Sequence, residues 1–207
     1  MAKIIPAILE STEERVRERV CTLKQYGLTI AHLDVMDGLA VPNSCWGDLD
    51  VAGNLGVDLE VHLMVTEPLK AAEKWLELEN VIRVIVRGEE IFNWQDYSAL
   101  SYASGGKLGV AFDPNSIFTK NINQATFFLA MGVYSGFSGQ RFHASTLDNI
   151  VVAKAINPCM LIGVDGGMNK VTIPIVKMLE VDFINTSSYF WNNSDDIEKT
   201  IQLVEGT

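Results

Sequence analysis

Eight short apolar runs, rich in β-branched residues and separated by longer stretches, limit what this chain can fold into more than any other feature. They are KIIPAIL (residues 3–9), IAHLDVM (30–36), LEVHLMV (59–65), VIRVIVR (81–87), KLGVAFD (107–113), ATFFLAMGV (125–133), MLIGVDG (160–166) and FINTSS (183–188). Runs this short and this apolar suit strands buried on both faces. The stretches between them read as helices. In STEERVRERVCTLKQYG, Val16, Val20 and Leu23 recur at helical spacing and Gly27 supplies the C-terminal stop. EPLKAAEKWLELEN has proline near a helix start, and NKVTIPIVKMLE and NSDDIEKTIQLV open with asparagine or serine in cap-like places. Alternating strands and helices build right-handed βαβ units, and eight of them in 207 residues predict one α/β domain over residues 1–207, a closed (β/α)8 TIM barrel. An open doubly wound sheet is the competing arrangement. The missing G-x-G-x-x-G phosphate loop after the first run argues against it.

A barrel of this kind carries its chemistry at the C-terminal ends of its strands. That rule singles out His32 and Asp34 in the second run, His62 in the third and Asp165 in the seventh. Residues two apart on a strand share a face, so His32 and Asp34 both point into the barrel mouth. Each of the four, taken alone, reads as a hydrogen-bonded structural residue. Together, two imidazoles and two carboxylates from three strands make a ligand set for a divalent metal ion, Zn²⁺ first, with Mn²⁺ or Fe²⁺ admissible.

Composition narrows the function classes. Apolar residues make up 48% and charged residues 20%, the balance of a soluble globular protein. Sixteen Lys and Arg against 26 Asp and Glu give a net charge of −10, which weighs against a nucleic-acid surface; an anionic small molecule must be held by local geometry. No apolar run approaches the roughly 20 residues that span a bilayer, and the N-terminus lacks a signal-peptide layout. Cys21, Cys45 and Cys159 have no metal-type spacing and read as free thiols. The expected location is the cytoplasm, with no membrane partner.

PAIL, HLDVMDGLAVPN, EVHLMVTEP, GFSGQRF and VDGG follow one another in the order and spacing of the ribulose-phosphate 3-epimerase family, which the chain resembles over essentially its whole length. The central pattern HxDxMDGxxVPN is specific and intact. The resemblance implies a ribulose-phosphate-binding barrel, His32, Asp34, His62 and Asp165 as metal ligands, and Asp34 and Asp165 as an acid/base pair. It implies inversion of carbon 3 of a ketose phosphate, ribulose 5-phosphate to xylulose 5-phosphate, in a homo-oligomer. Met36, Met64 and Met131 match positions that line the mouth around the reacting carbons. Gly136, Ser138, Gly139, Gly166, Gly167, Thr186 and Ser187 fall where the family grips substrate phosphate.

The pattern breaks in the phosphate half. NPGFGGQ has become YSGFSGQ, with Tyr134, Ser135 and Ser138 replacing asparagine, proline and glycine. The GS after the eighth strand has become Thr186–Ser187. PSILS has become PAILE, which sets Glu10 at a substrate-holding position, to be neutralised by Arg141 or loop lysines or else turned into solvent. Asp113 stands where asparagine is common. Asp37, Gly38, Pro42 and Asn43 are expected to shape the loop after the second strand, and His143 to be exposed. Two alternatives follow: epimerisation of another ketose, such as a hexulose phosphate, or a non-catalytic barrel that binds metal or sugar.

Overall fold

The computed structural model describes residues 1–192 and 197–206. Eight parallel strands close into a barrel in sequence order: β1 (Lys3–Ile8), β2 (Ile30–Met36), β3 (Asp58–Met64), β4 (Val81–Arg87), β5 (Leu108–Phe112), β6 (Phe127–Met131), β7 (Leu161–Asp165) and β8 (Phe183–Thr186). β8 pairs with β1, so no edge is left to solvent. The open doubly wound sheet is thereby excluded. Around the barrel lie α1 (Glu13–Gln25), α2 (Leu49–Ala52), α3 (Pro68–Leu76), α4 (Trp94–Ala103), α5 (Ser145–Ile156), α6 (Thr172–Lys177), α7 (Ser188–Trp191) and α8 (Ile197–Glu205).

The helix signals act as the residues predict. Thr12 caps α1, its hydroxyl accepting from the Arg15 amide; Val16, Val20 and Leu23 are buried against the barrel, and Gly27 turns the chain out at φ +71°. Pro68 opens α3, and the Asn169 side chain accepts from the amides of Val171 and Thr172 at the start of α6. The cap expected from Asn193 or Ser194 lies outside the described residues. Two connections depart from the regular alternation. Between β2 and β3 the helix is a single turn, because Gly38, Pro42, Gly47, Gly53 and Gly56 interrupt it. Between β5 and β6 only a 3₁₀ segment forms, Lys120–Gln124, after Pro114 and a left-handed Asn115 at φ +63°.

Outward-facing strand residues and the helices make the main core, including Leu33, Val61, Leu63, Val84, Val110, Ile162 and Ile184. The barrel interior is filled differently. Phe127 enters from the start of β6 into room left by Gly163, where a Cβ would lie 2.6 Å from its ring. The Arg83 guanidinium lies 3.7 Å from the centroid of Phe127 and 4.8 Å from that of Phe183. Above this floor the lining turns polar, with His32, Glu60, His62 and Asn185 all fully buried.

Candidate active site

Strand register assembles the site. β2 and β3 pair His32 with Glu60, Asp34 with His62 and Met36 with Met64; β6 and β7 pair Met131 with Asp165; β7 and β8 pair Asp165 with Asn185. Alternation along each strand then turns these side chains inward together. Asp34 Oδ1 lies 3.3 Å from His32 Nε2 and 3.4 Å from His62 Nδ1. One ligand atom from each of His32, Asp34, His62 and Asp165 can be chosen so that all four lie within 4.8 Å of one another.

The polar atoms at the centre of this cluster lack partners. His32 Nε2, Asp34 Oδ1 and both ring nitrogens of His62 are buried without a hydrogen bond. Buried polar atoms are ordinarily satisfied, and three of these orphans, His32 Nε2, Asp34 Oδ1 and His62 Nδ1, lie together as the ligand atoms of a cation would. Two nitrogens and two carboxylates also match the donor preferences of Zn²⁺, Mn²⁺ and Fe²⁺. The residues could therefore hold a divalent ion.

Electrostatics separates the two aspartates. Burial opposes ionisation of Asp34, but contacts from His32 and His62 outweigh it and hold the carboxyl at about 2. For Asp165, burial and the charge of Asp34 act together and push it up to about 6. Burial likewise disfavours the His32 cation, yet Asp34 and Glu60 raise its pKa well above the usual imidazole value. One carboxylate that ionises readily and one that holds a proton more tightly are what a two-acid proton shuttle requires.

A cavity of about 490 Å³, including its open mouth, sits over the cluster. Asp34 and Asp165 lie at its base with Met36, Met64 and Met131; Tyr134 to Gly139, Gly166, Gly167, Met168, Ser187 and Ser188 form its wall. The glycines after β7 are required by space as well as by φ. A Cβ on Gly167 would lie 2.8 Å from the Phe142 backbone, and one on Gly166 would lie 2.5 Å from Val133.

Gly136, Ser138, Gly139, Gly166, Gly167 and Ser187 all reach this wall; Glu10 and Thr186 do not. Glu10 turns away to α1, where its carboxylate sits 2.8 Å from Arg19 Nε, and Arg19 stacks over Trp191. Its counter-charge is thus Arg19 and neither Arg141 nor a loop lysine. Thr186 is buried, its hydroxyl without a hydrogen-bond partner. His143, expected to be exposed, is half-buried, with its ring edge-on to Tyr134 at 5.0 Å.

Asp37 accepts from the amides of Leu39, Ala40 and Thr66, tying the loops after β2 and β3 together. Asn43 donates to the Gly136 carbonyl across the mouth. Asp113 accepts from both the amide and the hydroxyl of Ser135, at 3.0 and 2.6 Å, and its other oxygen meets Arg87 at 3.3 Å. The two departures at 113 and 135 therefore complement each other and anchor the cavity wall to β4.

The residues missed in the sequence lie one layer deeper. Glu60 is fully buried and receives His32 Nδ1 at 2.7 Å, Asn185 Nδ2 at 2.9 Å and the Arg83 guanidinium. Alternation carried the signal: Glu60 stands two residues before His62, and Arg83 two before Ile85, so both point inward. Cys45, given no role, donates its thiol to the Asp34 carbonyl, and burial together with the Asp34 charge pushes it up to about 12.

Among solved structures, 3-hexulose-6-phosphate synthase from Salmonella typhimurium superposes with a TM-score of 0.72 at 11% identity, covering 99% of each chain. Phosphoribosyl anthranilate isomerase from Thermus thermophilus gives 0.67 at 11%, covering 99% of this chain and 98% of the other. These likenesses speak to the barrel alone. In sequence, ribulose-phosphate 3-epimerase of Bacillus subtilis is 29% identical over the full length of both chains, and that of Chlamydia trachomatis is 28% identical over 98% of this chain and 92% of its own. The family model described as "Ribulose-phosphate 3 epimerase family" matches residues 3–191, and the chain belongs to that family.

Proposed function

We propose that this chain is a divalent-metal-dependent epimerase that inverts carbon 3 of a ketose phosphate, interconverting ribulose 5-phosphate and xylulose 5-phosphate. The observation that carries the reading is the convergence of His32, Asp34, His62 and Asp165 at the base of the cavity, with ligand atoms of the first three orphaned. A bound ion, Zn²⁺ first with Mn²⁺ or Fe²⁺ admissible, would supply Lewis acidity toward the oxygens that become negative as carbon 3 loses its proton.

The chain's own residues do the rest. Asp34 and Asp165 approach from different strands, one removing the carbon-3 proton and the other returning a proton to the opposite face of the enediolate. The opposed shifts of the two carboxyls support that division of labour. Met36, Met64 and Met131 give the enediolate an apolar surround that excludes water. No lysine or arginine is among the described residues lining the cavity, so phosphate would be held by backbone amides around Gly136, Gly139, Gly166 and Gly167 and by hydroxyls of Ser138 and Ser187. Glu10, paired with Arg19, leaves the mouth free of an added negative charge. That placement weighs against a non-catalytic barrel. The three free thiols accord with work in a reducing cytoplasm.

The test is proton NMR in D₂O of metal-reloaded protein with a panel of pentulose and hexulose phosphates. Deuterium entering carbon 3 of ribulose 5-phosphate, with xylulose 5-phosphate formed, is the expected result. Exchange confined to a hexulose phosphate would replace the substrate, and exchange in none of them would defeat the enzyme reading.

A further inference from the structure

Below the ligand cluster, the buried side chains of Glu60 and Asn185 converge on the back of His32, with Arg83 behind Glu60. Glu60 Oε1 lies 2.7 Å from His32 Nδ1 and 2.9 Å from Asn185 Nδ2, while Glu60 Oε2 is held by Arg83. Asn185 Nδ2 is also 2.8 Å from His32 Nδ1. In the neutral ring that a metal ligand requires, two arrangements of the His32 proton are therefore open. With the proton on Nδ1, the ring donates to Glu60 and Nε2 presents a lone pair to the cluster. With the proton on Nε2, Nδ1 accepts from Asn185 and Nε2 is blocked as a ligand.

We propose that Glu60, held by Arg83, is the positioning residue that keeps the His32 proton on Nδ1 and so makes Nε2 a metal ligand. A bond from Nδ1–H to a carboxylate is about twice as strong as one between neutral partners, so the anion wins over the Asn185 amide. Arg83 fixes the polarity. Guanidinium offers donors only, so whatever occupies position 60 must turn an acceptor toward it. Glutamate has a second acceptor left for His32. Glutamine does not: with its oxygen on Arg83, its NH₂ faces Nδ1 and drives the proton to Nε2. This inference rests on reading the four-residue cluster as a metal site.

The test is Co²⁺ titration of the metal-free full chain, followed by the visible absorption of the bound ion and by the paramagnetically shifted imidazole N–H resonances. The parent is expected to bind one Co²⁺ and to show an exchange-protected N–H from His32 that is lost in E60Q. Affinity in E60Q should fall roughly 10- to 100-fold, as for other groups that orient a ligand histidine. E60Q/R83M should recover much of that loss together with the exchange-protected His32 N–H, because the introduced amide, released from the guanidinium, is free to turn its oxygen to His32; a purely structural role for Glu60 would restore stability in the double variant without that resonance. If E60Q does not fold, E60D and the double variant carry the same comparison. A parent that binds Co²⁺ with E60Q within twofold of it overturns the role of Glu60 alone. A parent that binds no Co²⁺ overturns the metal reading and this inference with it.

Discussion

Replacing Arg83 with methionine should destabilise the protein by about 3 kcal/mol, and the buried geometry sets that figure. Glu60 is fully buried, and among the described residues Arg83 is the cation that meets its Oε2. Removing one partner of a buried pair costs about 3–5 kcal/mol, since the remaining charge loses that counter-ion and gains no water in its place. His32 Nδ1 and Asn185 still serve Oε1, which places the cost at the lower end. Loss of the guanidinium stacked 3.7 Å above Phe127 adds about 0.5–2 kcal/mol, partly offset by the packing of the methionine thioether. For a chain of this length, about 3 kcal/mol corresponds to a melting shift of about 6–12 °C.

Urea unfolding of the metal-free protein, followed by tryptophan fluorescence, gives the comparison. E60Q/R83M should be more stable than R83M by about 2 kcal/mol, because no unpaired charge stays behind. The pH dependence has a definite sign. In the parent, burial opposes the Glu60 charge but His32 and Arg83 outweigh it, and the carboxyl sits below its ordinary value. Its contribution is therefore present above that ordinary value and lost as pH falls through the depressed one. In R83M the folded value rises, so the deficit should be largest at high pH and shrink as Glu60 takes up a proton. An R83M variant within about 1 kcal/mol of the parent, or a double variant no better than R83M, would refute the reasoning.

Other consequences follow from single contacts. A Cβ on Gly132 would collide with the Gly166 carbonyl, so G132A should cost about 1–3 kcal/mol and, by displacing the backbone beside Asp165, lower kcat on the order of 100-fold; unchanged melting and kcat would contradict this. D37N should cost about 1–2 kcal/mol at neutral pH. Burial works against the Asp37 charge but four hydrogen bonds outweigh it and lower its pKa from 3.8, so the parent's advantage should persist above that value and fade as pH drops below it in acid unfolding curves. E10S should leave KM unchanged and cost at most about 1 kcal/mol, since Glu10 faces Arg19; a lower KM would return Glu10 to the mouth. D113A should loosen the wall at Ser135, seen as faster amide exchange across residues 134–140 with a raised KM; unaltered exchange would show that the anchor lies elsewhere.

Periodicity made the barrel readable, because strands buried on both faces must be short, apolar runs and the crossovers between them must bury one helical stripe. It failed where the chain carries Gly, Pro and Asn, around α2 and the 3₁₀ segment Lys120–Gln124, since neither crossover holds a stripe long enough for a full helix. His32, Asp34, His62 and Asp165 were legible because two rules, strand-end position and alternation, select the same residues. Glu60, Arg83 and Asn185 obey alternation too, but they lie a layer below the mouth, and only the barrel's register brings β3, β4 and β8 onto one histidine. The direction of Glu10 stays open in the sequence for a related reason. Its position in the chain puts it at the mouth, whereas the direction of its side chain depends on Arg19, nine residues away on a helix whose rotation the strand pattern does not determine.

The central claim is that carbon-3 chemistry takes place at the His32–Asp34–His62–Asp165 centre with one divalent ion in it. The most direct measurement titrates Zn²⁺ or Mn²⁺ into the metal-free chain and follows epimerisation of ribulose 5-phosphate and bound metal in the same sample. Activity should rise linearly with bound metal and saturate at one equivalent per chain, while H62A should neither retain the ion nor turn over. Full activity in the metal-free protein, or an H62A variant as active as its parent, would contradict the account.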